Sequence, residues 1–350
     1  TDRNGLSFYF EYDVEAREGW CTRTWGDGGI YDRRLTYDEA RHVTLVDDSR
    51  GGRTHYFGNA LGLVERVLDP TGLETRYAYD TSCRKVAETD GLGQRREWAY
   101  DDRGNCTVER DPVGGETQRR YNALDLPEEV VDARGGCWTL DYDRRGKLER
   151  VVDPVRAEHR YAYDPRGELA EAIDPLGRRF TLRYERGVLA ESTDWEGGTT
   201  RYAWDGIGHL VEHTDPMGRR ARLQRDGCGR LLAVRRDDGT VLERRYDGEG
   251  NVTEEIDALG HVTRFRYAGM SRLVAQTDPS GGVVRYTYDT EDDLVGVTNE
   301  HGEVHTIERD RAGRVTREVG FDGRTLAFRY DRAGRCVETV SGAGRVTRIE

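Results

Sequence analysis

Along most of the chain, short runs of alternating polar and apolar residues are interrupted at nearly even intervals by clusters of Asp, Pro and Gly. In Arg76-Tyr77-Ala78-Tyr79 the tyrosines stand two apart, so an extended backbone projects both to one face and leaves Arg76 and Ala78 on the other. A second run follows each interruption and carries leucine at one equivalent place: Leu148, Leu169, Leu189, Leu210, Leu231, Leu273 and Leu294. Each pair of runs with a tight reversal between them predicts one β-hairpin with a Tyr/Leu face and a charged face.

The interruptions are periodic. Asp27, Asp48, Asp69, Asp90, Asp111, Asp132, Asp153 and Asp174 stand 21 residues apart, and the frame continues from Asp194 to Ser341. Asp194 comes one residue early because Tyr184-Glu185-Arg186-Gly187 replaces the longer reversal seen in Tyr163-Asp164-Pro165-Arg166-Gly167. The unit reads roughly D-P-x-G-x-x-x-R-Y-x-Y-D-x-x-G-x-L, with Gly fourth in 13 of 15 units and Tyr or Trp eleventh in 12 of 15. Each unit thus holds two reversal signatures, and Asp-Pro-x-Gly is the composition of a type I β-turn.

Fifteen such hairpins amount to about thirty strands, a ribbon on the order of 140 Å wide at about 4.8 Å per strand. Open twisted sheets rarely exceed about ten strands without curling, so the ribbon is expected to coil, close or spiral. A β-propeller would need a 42-residue alternation between odd and even units, which begins and then fails. A parallel solenoid would not need two reversals per repeat. The expected class is all-β: tandem antiparallel hairpins coiling into a curved or spiral sheet. Residues 1–26 read as lead-in strands, and residues 27–350 as one continuous repeat domain.

Composition changes that picture in one respect. Only 35% of residues are hydrophobic, 34% are charged and mean hydropathy is −0.84, values near the border of disorder. The 19 tyrosines decide the matter, because they are phased rather than scattered, and a tyrosine ring buries while its hydroxyl finds a partner. Lys85 and Lys147 are the only lysines, so nearly all basic residues are Arg. They alternate with Asp and Glu, and net charge is −12, which argues against a nucleic-acid surface.

Candidate chemistry is sparse. Cys21, Cys83, Cys106, Cys137, Cys228 and Cys336 are irregularly spaced with no C-x-x-C pair, so neither a zinc site nor a disulfide framework is expected. His209/His213 and His301/His305 stand four apart, but in a strand that separates them by about 13 Å. Each repeat carboxylate is isolated and its first duty is to hydrogen-bond its own turn, so calcium binding is not expected. Gly26-Asp27-Gly28-Gly29 lacks phosphate-loop spacing, and no G-x-S-x-G elbow or P-loop occurs. No run approaches the apolar length of a membrane span, and no signal peptide opens the chain.

Tyr79-Asp80, Tyr100-Asp101, Tyr142-Asp143, Tyr163-Asp164, Tyr246-Asp247, Tyr288-Asp289 and Tyr330-Asp331, each within the 21-residue frame, closely resemble the YD (Rhs) repeat. Trp25-Gly26-Asp27-Gly28-Gly29-Ile30-Tyr31-Asp32 is similar to the segment that leads into the repeats of bacterial Rhs proteins. The resemblance implies a hollow shell of hairpins that encloses a C-terminal toxin, as in Rhs and toxin-complex proteins, with type VI secretion as one export route. Neither the plug nor the aspartate cleavage motif of such families occurs in these residues, so no catalytic residue, cofactor or metal is expected.

The reading that follows is a non-catalytic scaffold of an Rhs/YD shell. Its partners would be the toxin domain of the same parent protein and secretion spike or adaptor proteins. It would sit in the bacterial cytoplasm before export and be delivered into a target cell afterwards. The expected structural aromatics are Tyr37, Tyr79, Tyr100, Tyr121, Tyr142, Tyr163, Tyr184, Trp204, Tyr246, Tyr267, Tyr288 and Tyr330. The expected turn glycines are Gly51, Gly72, Gly93, Gly114, Gly135, Gly177, Gly197, Gly218, Gly239, Gly260, Gly281, Gly302 and Gly323. The alternative is a carbohydrate-binding or cell-surface adhesion module that uses the aromatic ladder. Open ring faces at Tyr79, Tyr163 and Tyr288 would favour it.

Overall fold

Strands end where the Asp-led reversals stand. The computed structural model describes residues 1–2, 5–14 and 19–349, so part of the 1–26 lead-in and Glu350 lie outside the described residues. Among the described residues there are 33 β-strands, mostly five or six residues long, and three short 3-10 turns at Asp27–Gly29, Glu39–Arg41 and Gly269–Ser271. The fold is all-β. The chain divides into two compact units: Thr1–Arg95, Tyr246–Glu254 and Val262–Glu350 in one, Arg96–Arg245 and Glu255–His261 in the other.

In the second unit, each strand from Arg95–Tyr100 to Val241–Tyr246 pairs antiparallel with its neighbours in chain order. In the first unit the same zigzag runs from Phe8–Tyr12 to Lys85–Thr89, and again from Val262–Ala268 to Val346–Arg348. Parallel coils are excluded. Reversals alternate between two edges: the D-P-x-G turns line one edge of each ribbon and the Y-D turns the other.

The two kinds of hairpin differ in register. Hairpins closed by a D-P-x-G turn pair without interruption, as in Glu129↔Thr139, Val130↔Trp138 and Val131↔Cys137. Most hairpins closed by a Y-D turn carry a β-bulge just before the tyrosine: Tyr161↔Ala172 and Ala162↔Glu171 are followed by Tyr163↔Leu169, with Ala170 left over, whereas the Tyr37 hairpin pairs through Tyr37↔Thr44 without one. The same irregularity recurs at Tyr79, Tyr121, Tyr142, Trp204, Tyr288 and Tyr330. A bulge increases the local right-handed twist, so its repetition gives the ribbon a regular source of curvature.

The core is thin. Among the described residues the buried hydrophobic ones are Ile30, Ala87, Val152, Ala172, Ala221, Ala233 and Ala275, and no large side chain is fully buried. Most strand residues are half-buried against the neighbouring hairpin. Cohesion therefore comes from contacts between successive repeats rather than from one central core, as expected of a repeat array.

Candidate functional site

Most turns are held by a leading carboxylate or amide, while those led by Arg236, Gly320 and Ser341 are not. Asp69 Oδ1 accepts the backbone N–H groups of Thr71 and Leu73, each at 2.8 Å, while Gly72 N–H donates to the Asp69 carbonyl at 3.0 Å. Gly72 has φ +85°, the left-handed conformation that closes a type I turn onto its return strand. All thirteen glycines of the fourth position share this conformation, with φ between 75° and 96°. The Y-D turns use the same construction. Asp143 Oδ1 accepts from Arg145 and Lys147, and at Asn122 the amide oxygen replaces the carboxylate.

The second carboxylate oxygen is used as well. Asp80, Asp226, Asp310 and Asp331 each accept Nε–H from the Arg four residues on, at 2.7 to 2.9 Å. Backbone donation from Arg84 holds Asp80 below its ordinary value of 3.8, and donation from Lys147 does the same for Asp143. These carboxylates are committed to turns. Among the described residues no three His, Cys, Asp or Glu side chains converge as metal ligands, and all six cysteines are unpaired thiols.

The aromatics form a ladder along the Y-D edge. Tyr163 donates its hydroxyl hydrogen to the Leu148 carbonyl at 2.9 Å, 15 residues back, at the start of the preceding hairpin's return strand. Tyr79, Tyr121, Tyr142, Tyr288 and Tyr330 reach Val64, Cys106, Pro127, Leu273 and Val315 in the same way, and Tyr37 reaches Cys21. Trp204 does so through its indole nitrogen, to Leu189 at 2.6 Å. Tyr100, Tyr184 and Tyr267 occupy the equivalent register, opposite Cys106, Leu189 and Leu273, and Tyr246 ends the strand Val241–Tyr246.

Burial pushes the Tyr121, Tyr142, Tyr163 and Tyr288 phenols above their ordinary value of 10.0. Tyr79, Tyr163 and Tyr288 are half-buried with their hydroxyls occupied, so they do not form an open row of ring faces.

Three units depart from the aromatic: Gly58 fills the place in one, and Arg225 and Arg309 fill it in the other two. Arg225 Nε–H donates to the Leu210 carbonyl and an Arg309 guanidinium N–H to that of Leu294, both at 3.2 Å. A guanidinium thus makes the bond that a phenol makes elsewhere. The signal was present in the sequence as position eleven, but the repeat consensus reads it as a mismatch.

The first unit contains a contact between its two kinds of edge. Glu291, in a Y-D turn, pairs with Arg33 and accepts from Ser49 Oγ at 2.6 Å and Ser49 N–H at 3.0 Å. Arg50 pairs with Asp289 at 2.8 Å and with Asp293, while Tyr31 N–H donates to the Thr290 carbonyl at 2.8 Å. One repeat further on, Arg314 reaches Thr71 Oγ1, and another repeat on, Arg335 reaches Gln94, both at 3.2 Å.

The Ser49–Glu291, Thr71–Arg314 and Gln94–Arg335 pairs are separated by 242, 243 and 241 residues, so successive repeats of one edge meet successive repeats of the other in the same order. The D-P-x-G edge of residues 48–94 lies against the Y-D edge of residues 289–335. A flat ribbon could not make these contacts. The side chain of Glu291 is only 7% exposed. Burial raises its carboxyl, but the bonds from Arg33 and Ser49 outweigh that and leave it lowered overall.

The second unit has a shallow cleft of about 310 Å³ lined by His213, Asp215, Arg219, Arg220, Arg236 and Asp237 among others. Arg219 is paired with Asp215 and Arg220 with Asp237, so its charges largely cancel. It gathers no catalytic constellation.

The sequence profile of the RHS Repeat family matches residues 204–241, 271–304 and 309–346. Over these residues the chain carries Rhs repeats. No curated protein sequence matches it. Its fold is similar to that of the TcdB2-TccC3-TEV crystal structure, with a TM-score of 0.81 and 18% identity over 97% of this chain and 22% of that one. It is also similar to TcdB2-TccC3 without the hypervariable C-terminal region, with a TM-score of 0.82 and 17% identity over 99% of this chain and 22% of that one. The Photorhabdus luminescens Tc holotoxin pore matches with a TM-score of 0.79 and 17% identity, over 94% of this chain and 21% of that one. These Rhs repeats therefore span about a fifth of the solved chains they resemble, and the likeness is one of fold.

Proposed function

We propose that the chain is a non-catalytic wall segment of an Rhs/YD shell that encloses and delivers a C-terminal toxin of the same parent protein. The observation that carries this reading is the contact of the 48–94 edge with the 289–335 edge, by which a ribbon of hairpins makes a wall of more than one course. The residues divide into a lead-in, 1–26, and a single repeat region, 27–350. The repeat tyrosines and turn glycines act as structural elements of that wall. Carboxylates committed to turns and a charge-cancelled cleft support the absence of chemistry in the wall itself.

The enclosed toxin is the primary partner, and secretion-machinery spike or adaptor proteins are the second. The protein resides in the bacterial cytoplasm before export by a type VI or related interbacterial route, and is then delivered into a target cell. Half-buried tyrosines with occupied hydroxyls favour a wall over a sugar-stacking surface.

Limited proteolysis of the parent protein tests the proposal. With the repeats intact the C-terminal domain resists a protease that digests it when it is expressed alone. Equal digestion of the two would overturn the reading.

A further inference from the structure

The seam between the two edges of the first unit contains one turn unlike the rest. Its Y-D side is built from the turns 289–293, 310–314 and 331–335. The last two are the same pentapeptide, Asp-Arg-Ala-Gly-Arg, so they offer identical tips to the opposing edge. The first reads Asp-Thr-Glu-Asp-Asp, with Glu291 where the others have Ala312 and Ala333, and Asp293 where they have Arg314 and Arg335. The turn before it, 268–272, has Met270 and Arg272 at those places. The D-P-x-G side is equally uneven, with Arg50, Thr71 and Leu92 at its third places.

A tandem repeat leaves the register of such a seam ambiguous. Sliding one edge past the other by one repeat changes the 242-residue separation of Ser49 and Glu291 by only 21 residues. It also exchanges turns that close alike, since Asp292, Gly313 and Gly334 all have positive φ. Side chains distinguish the registers. In the observed one, Glu291 pairs with Arg33 and accepts from both Ser49 donors, while Asp293 pairs with Arg50 and lies 3.9 Å from Arg309. A slip one way would set Ala312 before Arg33 and Ser49, and Arg314 before Arg50. A slip the other way would set Met270 and Arg272 there. Either exchanges an acceptor for an apolar side chain, and an ion pair for two guanidinium groups of like charge.

We infer that Glu291 and Asp293, facing Arg33, Ser49 and Arg50, are the register key of the seam and select the observed pairing over slips of one repeat. Accumulated twist brings the edges within reach of each other, and the key decides which turn meets which. Both sides of the contact lie in this chain, so the inference stands apart from what the wall encloses.

Moving the key by one repeat tests it. An Arg50→Lys chain is the reporter, because zero-length carbodiimide coupling and peptide mass spectrometry read which carboxylate the lysine faces. With the key in place the amide is expected at Asp289 or Asp293. Adding Glu291→Ala, Asp293→Asn, Ala312→Glu and Arg314→Asp puts the key on the next turn. The amide is then expected 21 residues further on, at Asp310 or at the carboxylate placed by Arg314→Asp. Coupling that stays at Asp289 would mean that twist alone sets the register and would overturn the inference, as would coupling to neither turn in a chain that keeps its β-sheet circular dichroism.

A reporter with only Glu291→Ala and Asp293→Asn covers the case in which the larger variant does not fold. Its coupling at Asp289 is expected to fall by roughly tenfold, the effect of about 1.4 kcal/mol of lost preference. An undiminished yield would overturn the inference.

Discussion

The Arg225 guanidinium donates to the Leu210 carbonyl across 3.2 Å, the same bond, over the same 15 residues, that the Tyr163 hydroxyl makes to Leu148. What Arg225 and Arg309 share with the repeat tyrosines at the eleventh position is therefore a long side chain with a donor at its tip, whereas Gly58 fills that place with no side chain. The aromatic ring adds packing, and the donor ties each hairpin to the one before.

Removing the donor while keeping the ring isolates that tie. Tyr163→Phe is expected to cost about 1 kcal/mol, the net worth of one hydrogen bond. Arg225→Tyr is expected to be close to neutral. Hydrogen exchange at the adjoining Y-D turn is the suitable readout, because repeat arrays open locally rather than in one cooperative step. Equal exchange in Tyr163→Phe and the unmodified chain would show that the hydroxyl contributes nothing.

Two glycines are required for different reasons. Gly72 has φ +85° and open space where a Cβ would stand, so Gly72→Ala is expected to cost about 1–2 kcal/mol through backbone strain confined to its own turn. Gly91 lies outside the positive-φ set, but a Cβ there would collide with the Arg332 carbonyl. Gly91→Ala should therefore loosen a distant segment. Raised exchange near residues 331–335 in Gly91→Ala, but not in Gly72→Ala, is the expected result.

Glu291 joins the two edges through Arg33 and Ser49. Glu291→Ala leaves the partly covered Arg33 guanidinium without its acceptor and is expected to cost about 1–3 kcal/mol, the range for leaving a covered donor without its partner. Surface pairs such as Arg222–Glu212, whose side chains are 59% and 30% exposed, are expected to contribute less than about 1 kcal/mol. Thermal unfolding of Glu291→Ala and Glu212→Ala compares them directly, and an equal shift would contradict the special role of the edge.

The turn carboxylates set an acid limit. Asp80, Asp143, Asp205 and Asp257 are each lowered below 3.8, chiefly by backbone donors. Such groups stabilise the fold fully above their unfolded value, and that stability is lost as pH falls through the lowered folded values. Stability is thus expected to be flat with respect to these groups from pH 5 to 8 and to fall below about pH 4. The raised phenols act at the other end, with stability lost as pH climbs past 10 and the donor hydrogens dissociate. A pH series of thermal midpoints checks both limbs.

The hairpins, their two edges and the Tyr/Leu face were legible because each is written within one 21-residue unit. The bulge before most of the repeat tyrosines was not. It depends on how the Y-D turn closes, and Ala170 and Ala162 look alike in an alternating pattern. The partners of the tyrosine hydroxyls lie one repeat away, so a consensus shows that the residue recurs without showing what it reaches. The Arg50–Asp289 and Arg33–Glu291 pairs were beyond reach for another reason. Where the ribbon meets itself is fixed by twist accumulated over many bulged hairpins, and no single unit records that sum. An Arg-rich, acid-rich chain also offers too many pairings for charge alone to choose among them.

Zero-length carbodiimide coupling tests the edge contact most directly, because Lys85 and Lys147 are the only native lysines and background is low. In an Arg50→Lys variant, peptide mass spectrometry is expected to find an amide bond from the introduced lysine to Asp289 or Asp293. Coupling of that lysine only to carboxylates of its own and adjacent hairpins would contradict the account.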